Sequence, residues 1–183
     1  DYWGLQSTSN IEVGDYEAEL WGEYYLVLNT IELNLSNSGL SGEIPSEIGN
    51  LTNLFSLNLG GNQFTGSIPP EIGNLTNLTV LSFYGNEFTG PIPLEIGNLT
   101  NLTHLGLNSN KLSGSIPSEI ENLTNLIWLE LDDNQLTGEI PIEICNLNIG
   151  ELNYFNITNN QFCPPYPSCI QDYVGTQDTS GCD

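Results

Sequence analysis

The side chains best suited to chemistry gather late in the 183-residue sequence: His104, Trp128, Tyr154, Glu130, Asp132 and Asp133, with Tyr84 one unit earlier. Glu130 and Asp132 are two apart, so on an extended strand they share a face roughly 6.6 Å from each other, a spacing that brings paired-carboxylate glycosidase chemistry to mind. Such a pair works only where a cleft raises one pKa by desolvation, and an open strand supplies no cleft, so no catalysis is expected. His104 is the only histidine, and zinc needs thiolates or a second imidazole beside it. Calcium suits the oxygens of Glu130, Asp132, Asp133 and Asn156 better, but no loop-type calcium motif contains them, and no cofactor is expected. What remains is the aromatic trio beside acidic groups, a composition typical of a binding hot spot or a sugar-stacking platform.

The elements that position these residues follow from a 24-residue period. IPSEIGNLTNLFSLNLGGNQFTGS from Ile44 recurs with few changes from Ile68, Ile92 and Ile116; a worn copy begins at Thr30, and a unit from Ile140 carries two extra residues before Phe155. Units too small to bury their own apolar face stack on their neighbours, which predicts a solenoid of six coils. Within each unit Leu alternates with polar residues, as in Ser56-Leu57-Asn58-Leu59, so each coil contributes one short parallel strand, about 4.8 Å from the next. Six strands centred near Leu33, Leu57, Leu81, Leu105, Leu129 and Phe155 are expected, with no helix beyond about three turns.

Residues one period apart then form columns. Asn62, Asn86, Asn110, Asn134 and Asn160 make a buried amide ladder that bonds loop backbone groups. The prolines from Pro45 to Pro141 open short 3₁₀ turns, and Glu47, Glu71, Glu95, Glu119 and Glu143 lie at free N–H groups in those turns. Columns that vary between coils face outward from the strands: Glu32, Ser56, Val80, His104, Trp128, Tyr154; then Asn34, Asn58, Ser82, Gly106, Glu130, Asn156; then Ser36, Gly60, Tyr84, Asn108, Asp132, Thr158. Constant columns carry the scaffold, so the variable ones are the candidate binding face.

The unit LxxLxxLxLxxNxLxGxIPxxIGN resembles the plant-type leucine-rich repeat of receptor-kinase ectodomains, polygalacturonase-inhibiting proteins and secreted bacterial proteins. That resemblance implies an α/β solenoid, a right-handed superhelix with a concave parallel sheet, convex short strands and 3₁₀ turns, and capped ends. It divides the chain into an N-terminal cap segment over 1–25, where WGEYY around Trp21 is similar to the family's cap without its cysteines, six repeats over 26–163, and a C-terminal cap over 164–183. FCPPYPSC resembles the family's LCGxPLxxC, which implies pairing of Cys163 with Cys169 and of Cys145 with Cys182.

Charge narrows the partners. Asp and Glu total 23 against a single Lys111 and no Arg, a formal net charge of −22, which excludes nucleic acid and opposes anionic membranes; no apolar run approaches the ~20 residues that span a bilayer. With no Met and Asp first, the sequence reads as a processed, exported product, and four cysteines confined to its end suit an extracellular or cell-surface setting. Sequons at Asn34, Asn50, Asn74, Asn77, Asn98, Asn101, Asn122 and Asn156 are candidate N-glycosylation sites, most of them inside the repeated NLTNLT. The expected function is non-catalytic recognition or adhesion, binding protein or carbohydrate by the concave face. Alternatives are end-to-end stacking into a surface filament, helped by open solenoid ends but opposed by Glu12, Asp15, Glu17 and Glu19; inhibition of a cell-wall-degrading glycosidase, implied by the resemblance; and ice binding, since the ladder Thr52, Thr76, Thr100, Thr124 resembles the faces of ice-binding solenoids.

Overall fold

A computed structural model describes residues 17–147 and 149–182; Glu12 and Asp15 lie outside them. Six three-residue strands, Glu32–Asn34, Ser56–Asn58, Val80–Ser82, His104–Gly106, Trp128–Glu130 and Tyr154–Asn156, form one parallel sheet in chain order. Each pairs in register one period on, Glu32 with Ser56, Ser56 with Val80, Val80 with His104, and onward to Tyr154. The six predicted centres are the buried or half-buried middle residues of these strands. The convex side carries the short parallel strands Thr89–Gly90, Lys111–Gly114, Gln135–Glu139 and Gln161–Cys163, a further pair Ser41–Gly42 and Gln63–Phe64, and 3₁₀ turns opened by the prolines.

The consensus Leu and Ile columns are buried from coil to coil, with Phe64 and Phe88 stacked at 6.0 Å between ring centroids. The 3₁₀ turns approach so closely that a Cβ on Gly49, Gly73 or Gly97 would fall within 2.7 Å of the Cβ of the next coil's Glu71, Glu95 or Glu119. That close approach explains the glycine of IGN in these three units. Where the fifth coil has Glu121 instead, the next turn is longer, Ile142–Leu147, and Asn146 donates to the Glu121 carboxylate at 2.7 Å.

The asparagine ladder is built as its burial demands. Nδ2 of Asn110 donates to Phe83 O and Leu107 O, and its Oδ1 accepts from Phe88 N; Asn86 and Asn134 repeat the pattern one coil either side. After Asn160 the tail takes over. Gln177 donates to Ile157 O and accepts from Phe162 N, the same two bonds a sixth ladder asparagine would make, while Asn159 N donates to Thr176 O. The segment from 164 to 182 therefore winds a partial further coil that closes the array.

The four cysteines pair, but not as the family likeness implied. Cys145 joins Cys169 and Cys163 joins Cys182, with Cα separations of 5.7 and 5.6 Å. Cys145 and Cys169 sit on the 3₁₀ turns Ile142–Leu147 and Ser168–Ile170 of successive coils. Successive 3₁₀ turns touch at a spacing of 22 residues, as Gly49 does with Glu71, and the two extra residues of the sixth unit bring that spacing to the 24 that separate Cys145 from Cys169, whereas Cys163 lies on the strand Gln161–Cys163. At the other end a hairpin, Glu17–Leu20 with Glu23–Leu26, turns through Trp21 and Gly22, both at positive φ, as a two-residue type I′ loop requires. Its Ala18 and Leu20 are buried against the convex core, and Trp21 tilts onto Phe64 at 5.1 Å while its indole N–H donates to Glu43 O.

Candidate functional site

Strand register alone sets the aromatic trio in line, because residues paired across a parallel sheet stand side by side. Trp128 pairs with His104 on one side and Tyr154 on the other. The rings stack: centroids are 6.1 Å apart for His104 and Trp128, 4.7 Å for Trp128 and Tyr154, with planes within 21° and 20°. Nδ1 of His104 lies 2.8 Å from the Thr103 hydroxyl, itself held to Thr79 O, which fixes the imidazole at the head of the row. Both faces of the Trp128 indole are covered by its neighbours, so the row offers ring edges to solvent and no open central face.

The other site residues divide. Glu130 extends back toward the fourth coil, its Oε2 3.5 Å from where a Cβ on Gly106 would stand. Asp132 is the next outward residue of the same coil. One of its carboxylate oxygens is fully buried without a hydrogen-bond donor, and so is Oδ1 of Asn108, the corresponding residue one coil earlier. Burial pushes the Asp132 carboxyl above the ordinary aspartate range, its own backbone N–H partly offsets this, and Asp133 and Glu130 add repulsion. The expectation that an open strand cannot desolvate a carboxylate thus fails at this one residue.

Asp133 and Tyr84 stand apart from this group. Asp133 has φ of 52° in the turn that leaves the strand, a left-handed position filled in the other coils by Asn37, Gly61, Gly85, Ser109 and Asn159, and its carboxylate accepts from Asn159 Nδ2 at 2.7 Å. Tyr84 lies flat over Gly60, where a Cβ would collide with its ring, and its hydroxyl meets Asn37 Nδ2 at 3.5 Å. It leans toward the first coil, away from the aromatic row. Among the described residues no group of three or more His, Cys, Asp or Glu is arranged to hold a metal ion.

Of the sequon asparagines, Asn34, Asn50, Asn74, Asn98 and Asn122 are exposed; Asn77 and Asn101 are exposed but donate to Thr52 O and Thr76 O of the preceding coil, and Asn156 is half-buried with its Oδ1 bonded to Thr158. Thr52, Thr76, Thr100 and Thr124 are all exposed. The sequence placed Asn108 and Gly106 in the variable columns but did not single them out. The signal was present, since Gly106 is a glycine in the middle of a variable column, but the same letter at Gly60 has a different cause.

Residues 31–132 match the family described as leucine-rich repeat region, and residues 125–147 match a further leucine-rich repeat. Among solved structures, the chain is 39% identical to the leucine-rich-repeat ectodomain of the plant membrane receptor kinase GASSHO1/SCHENGEN3 from Arabidopsis thaliana, in complex with CASPARIAN STRIP INTEGRITY FACTOR 2, over 76% of this chain and 16% of that one, at a TM-score of 0.71. It is 30% identical to the BIR2 ectodomain from Arabidopsis thaliana over 74% of this chain and 71% of that one, at a TM-score of 0.64. A plant ice-binding protein is 33% identical over 79% of this chain and 46% of its own length, at a TM-score of 0.61. The chain thus spans only about a sixth of the first of these. No curated protein matches it significantly.

Proposed function

The chain belongs to the leucine-rich-repeat proteins, and on that premise we propose that it is a non-catalytic extracellular recognition module that binds a protein partner across the C-terminal half of its concave face. The row His104, Trp128 and Tyr154 carries the proposal: the scaffold needs no aromatic residue in that outward column, and earlier coils place Glu32, Ser56 and Val80 there. Aromatic residues ringed by polar groups are the composition of interface hot spots. GASSHO1/SCHENGEN3 was solved in complex with CASPARIAN STRIP INTEGRITY FACTOR 2, and a plant peptide hormone receptor of the same fold with RGF2, which supports a polypeptide ligand here. Two disulfides support a setting outside the cytoplasm. Catalysis lacks a partner for Asp132: an acid with a raised pKa needs a cleft and a second placed group, and the sheet is open.

Partners captured on the immobilised chain test the proposal. Trp128→Ala should weaken them by more than about 1 kcal/mol while Thr100→Ala changes little, with melting temperatures of both variants close to the parent. Equal loss from both, or loss only from Thr100→Ala, would move the site off the concave face. A second reading, ice binding, is favoured by the exposed threonine ladder and by the likeness to a plant ice-binding protein. It predicts inhibition of ice recrystallisation that Thr100→Ala weakens and Trp128→Ala leaves intact. Filament stacking is opposed by Gln177, which already occupies the ladder position that an incoming unit would use.

A further inference from the structure

We propose that, on export through a secretory pathway that supplies a lipid-linked oligosaccharide, the chain carries N-glycans on Asn50, Asn74, Asn98 and Asn122, while Asn34, Asn77, Asn101 and Asn156 stay bare. The inference rests on the reading of the chain as an extracellular module with a concave binding face, and it places the sugars on one flank of that module.

The chemistry uses two groups of each sequon. The asparagine amide nitrogen attacks C1 of a sugar held on a lipid pyrophosphate: the N–C1 bond forms, the C1–O bond to phosphate breaks, the pyrophosphate leaves with the electron pair, and the amide proton passes to the transferase. The Ser or Thr hydroxyl two positions on is what the transferase reads. The sequons divide sharply by what these two groups already do in the fold.

Asn50, Asn74, Asn98 and Asn122 close the 3₁₀ turns Ser46–Asn50, Pro70–Asn74, Leu94–Asn98 and Ser118–Asn122. All four are exposed, and so are Thr52, Thr76, Thr100 and Thr124 two positions on. Between them Leu51, Leu75, Leu99 and Leu123 are fully buried, so the core anchors each sequon by its middle residue and leaves its outer two toward solvent. Among the described residues neither the amide nitrogens nor the hydroxyls of these sequons take a hydrogen bond; the bonds in this region belong to the neighbouring Asn53, Asn77, Asn101 and Asn125. A sugar here displaces no contact.

The remaining sequons are already engaged. Asn77 Nδ2 donates to Thr52 O and Thr79 Oγ1 to Phe55 O, each at 2.9 Å, and Asn101 and Thr103 repeat both bonds with Thr76 O and Thr79 O. These bonds stitch each coil to the one before it, so a sugar on Asn77 or Asn101 stands in the seam between two coils. On the concave sheet the hydroxyls of Ser36 and Thr158 donate to Oδ1 of Asn34 and Asn156, and Asn156 Nδ2 lies 3.5 Å from the Tyr154 hydroxyl. A sugar on Asn156 would lie across the aromatic row. Where transfer precedes folding, the seam acts as a filter: chains modified there fold poorly, and those modified on the turn column fold unhindered. The sugars then line the flank between the convex turns and the concave strands, leaving His104, Trp128 and Tyr154 open and covering the threonine ladder on which ice binding depends.

Secretion of the chain from cultured plant cells tests the assignment. A glycoamidase turns each occupied asparagine into aspartate, which marks it by mass; fragments are made by cleavage after Glu, since one Lys and no Arg rule out tryptic mapping. Marks are expected on Asn50, Asn74, Asn98 and Asn122 of the folded, secreted chain and not on the other sequons. Replacing Thr52, Thr76, Thr100 and Thr124 together by Ala removes the four turn sequons through exposed hydroxyls alone, and should abolish the carbohydrate mass with the circular dichroism spectrum unchanged. Marks on Asn34, Asn77, Asn101 or Asn156 as abundant as those on the column, a bare column, or carbohydrate that survives the fourfold replacement would overturn the proposal. Partner capture by Trp128→Ala is read separately: its loss alongside a failed sugar assignment leaves the concave face as the recognition surface, and sugars on the column alongside full binding by Trp128→Ala leave the flank assigned and the face not.

Discussion

Replacing Asn110 by Ala tests the amide ladder, and the structure sets the size of the effect. Asn110 makes three buried bonds, from Nδ2 to Phe83 O and Leu107 O and from Phe88 N to Oδ1. The two carbonyls do not become orphans, because Phe83 O also accepts from Asn86 and Leu107 O from Asn134. Phe88 N loses its acceptor. One orphaned buried donor costs about 1–3 kcal/mol, and two carbonyls reduced to one bond each add about 1 kcal/mol together, so a loss of about 2–4 kcal/mol is expected. Asn110→Asp sharpens the test, since it keeps the acceptor but points a carboxylate at two carbonyl oxygens. At neutral pH it should be worse than Ala. As pH falls and the carboxyl is protonated, it regains a donor and should overtake Ala. Urea unfolding followed by far-ultraviolet circular dichroism, with an unchanged m-value, measures both. A loss below about 1 kcal/mol for Asn110→Ala would refute the ladder as a stabilising device.

Gln177→Ala should cost about 1–2 kcal/mol, less than the interior ladder because its bond from Phe162 N is longer, at 3.3 Å, and part-buried, and should speed hydrogen exchange at that amide first. Asp132→Asn should raise the melting temperature at pH 7 and lose that advantage near pH 3. The sign follows from the raised carboxyl: the penalty of ionisation exists above the folded pKa and disappears below the unfolded value of about 3.9, where the aspartate is already neutral. Mass spectrometry of unreduced proteolytic fragments should link Cys145 with Cys169 and Cys163 with Cys182; a fragment joining Cys163 to Cys169 would contradict the stacked tail.

Most of the scaffold was legible because a repeat converts sequence spacing into geometry. The period fixes the strands, the ladder and the 3₁₀ turns, and the same spacing sets His104, Trp128 and Tyr154 side by side. The tail was harder. Its Gln177 performs the ladder's work with a longer side chain and no surrounding motif, so no column arithmetic finds it. The cysteine pairing was hidden because the local string FCPPYPSC resembles the family's own cap staple, while Cys145 and Cys169 meet on the 22-residue contact between successive turns lengthened by the two extra residues of the sixth unit. Gly60 and Gly106 occupy adjacent variable columns and look equivalent, yet the Tyr84 ring covers one while polar atoms of Ser82, Asn108 and Glu130 surround the other.

The ends and the charge together favour a lateral binding surface. With Gln177 closing the ladder at one end and the hairpin seated on the convex core at the other, the broad accessible backbone-supported surface is the concave sheet. At −22, the molecule repels a second copy of itself and attracts cationic partners over distances beyond contact, so association should be fast at low salt and slow as salt shortens the Debye length to about 8 Å at 0.15 M. A buried charged contact behaves differently from that long-range field. Pairing at Asp132 and Glu130 should appear mainly in the dissociation rate, because it forms only after docking, whereas the Glu column on the convex turns should affect the association rate alone. Neutralising Glu95 and Glu119 together by Gln should therefore slow association of a cationic partner and leave its residence time unchanged, while Asp132→Asn should shorten the residence time. Salt-dependent surface plasmon resonance separates the two rates. If both substitutions changed only association, the concave carboxylates would be part of the general field and not of the docked interface.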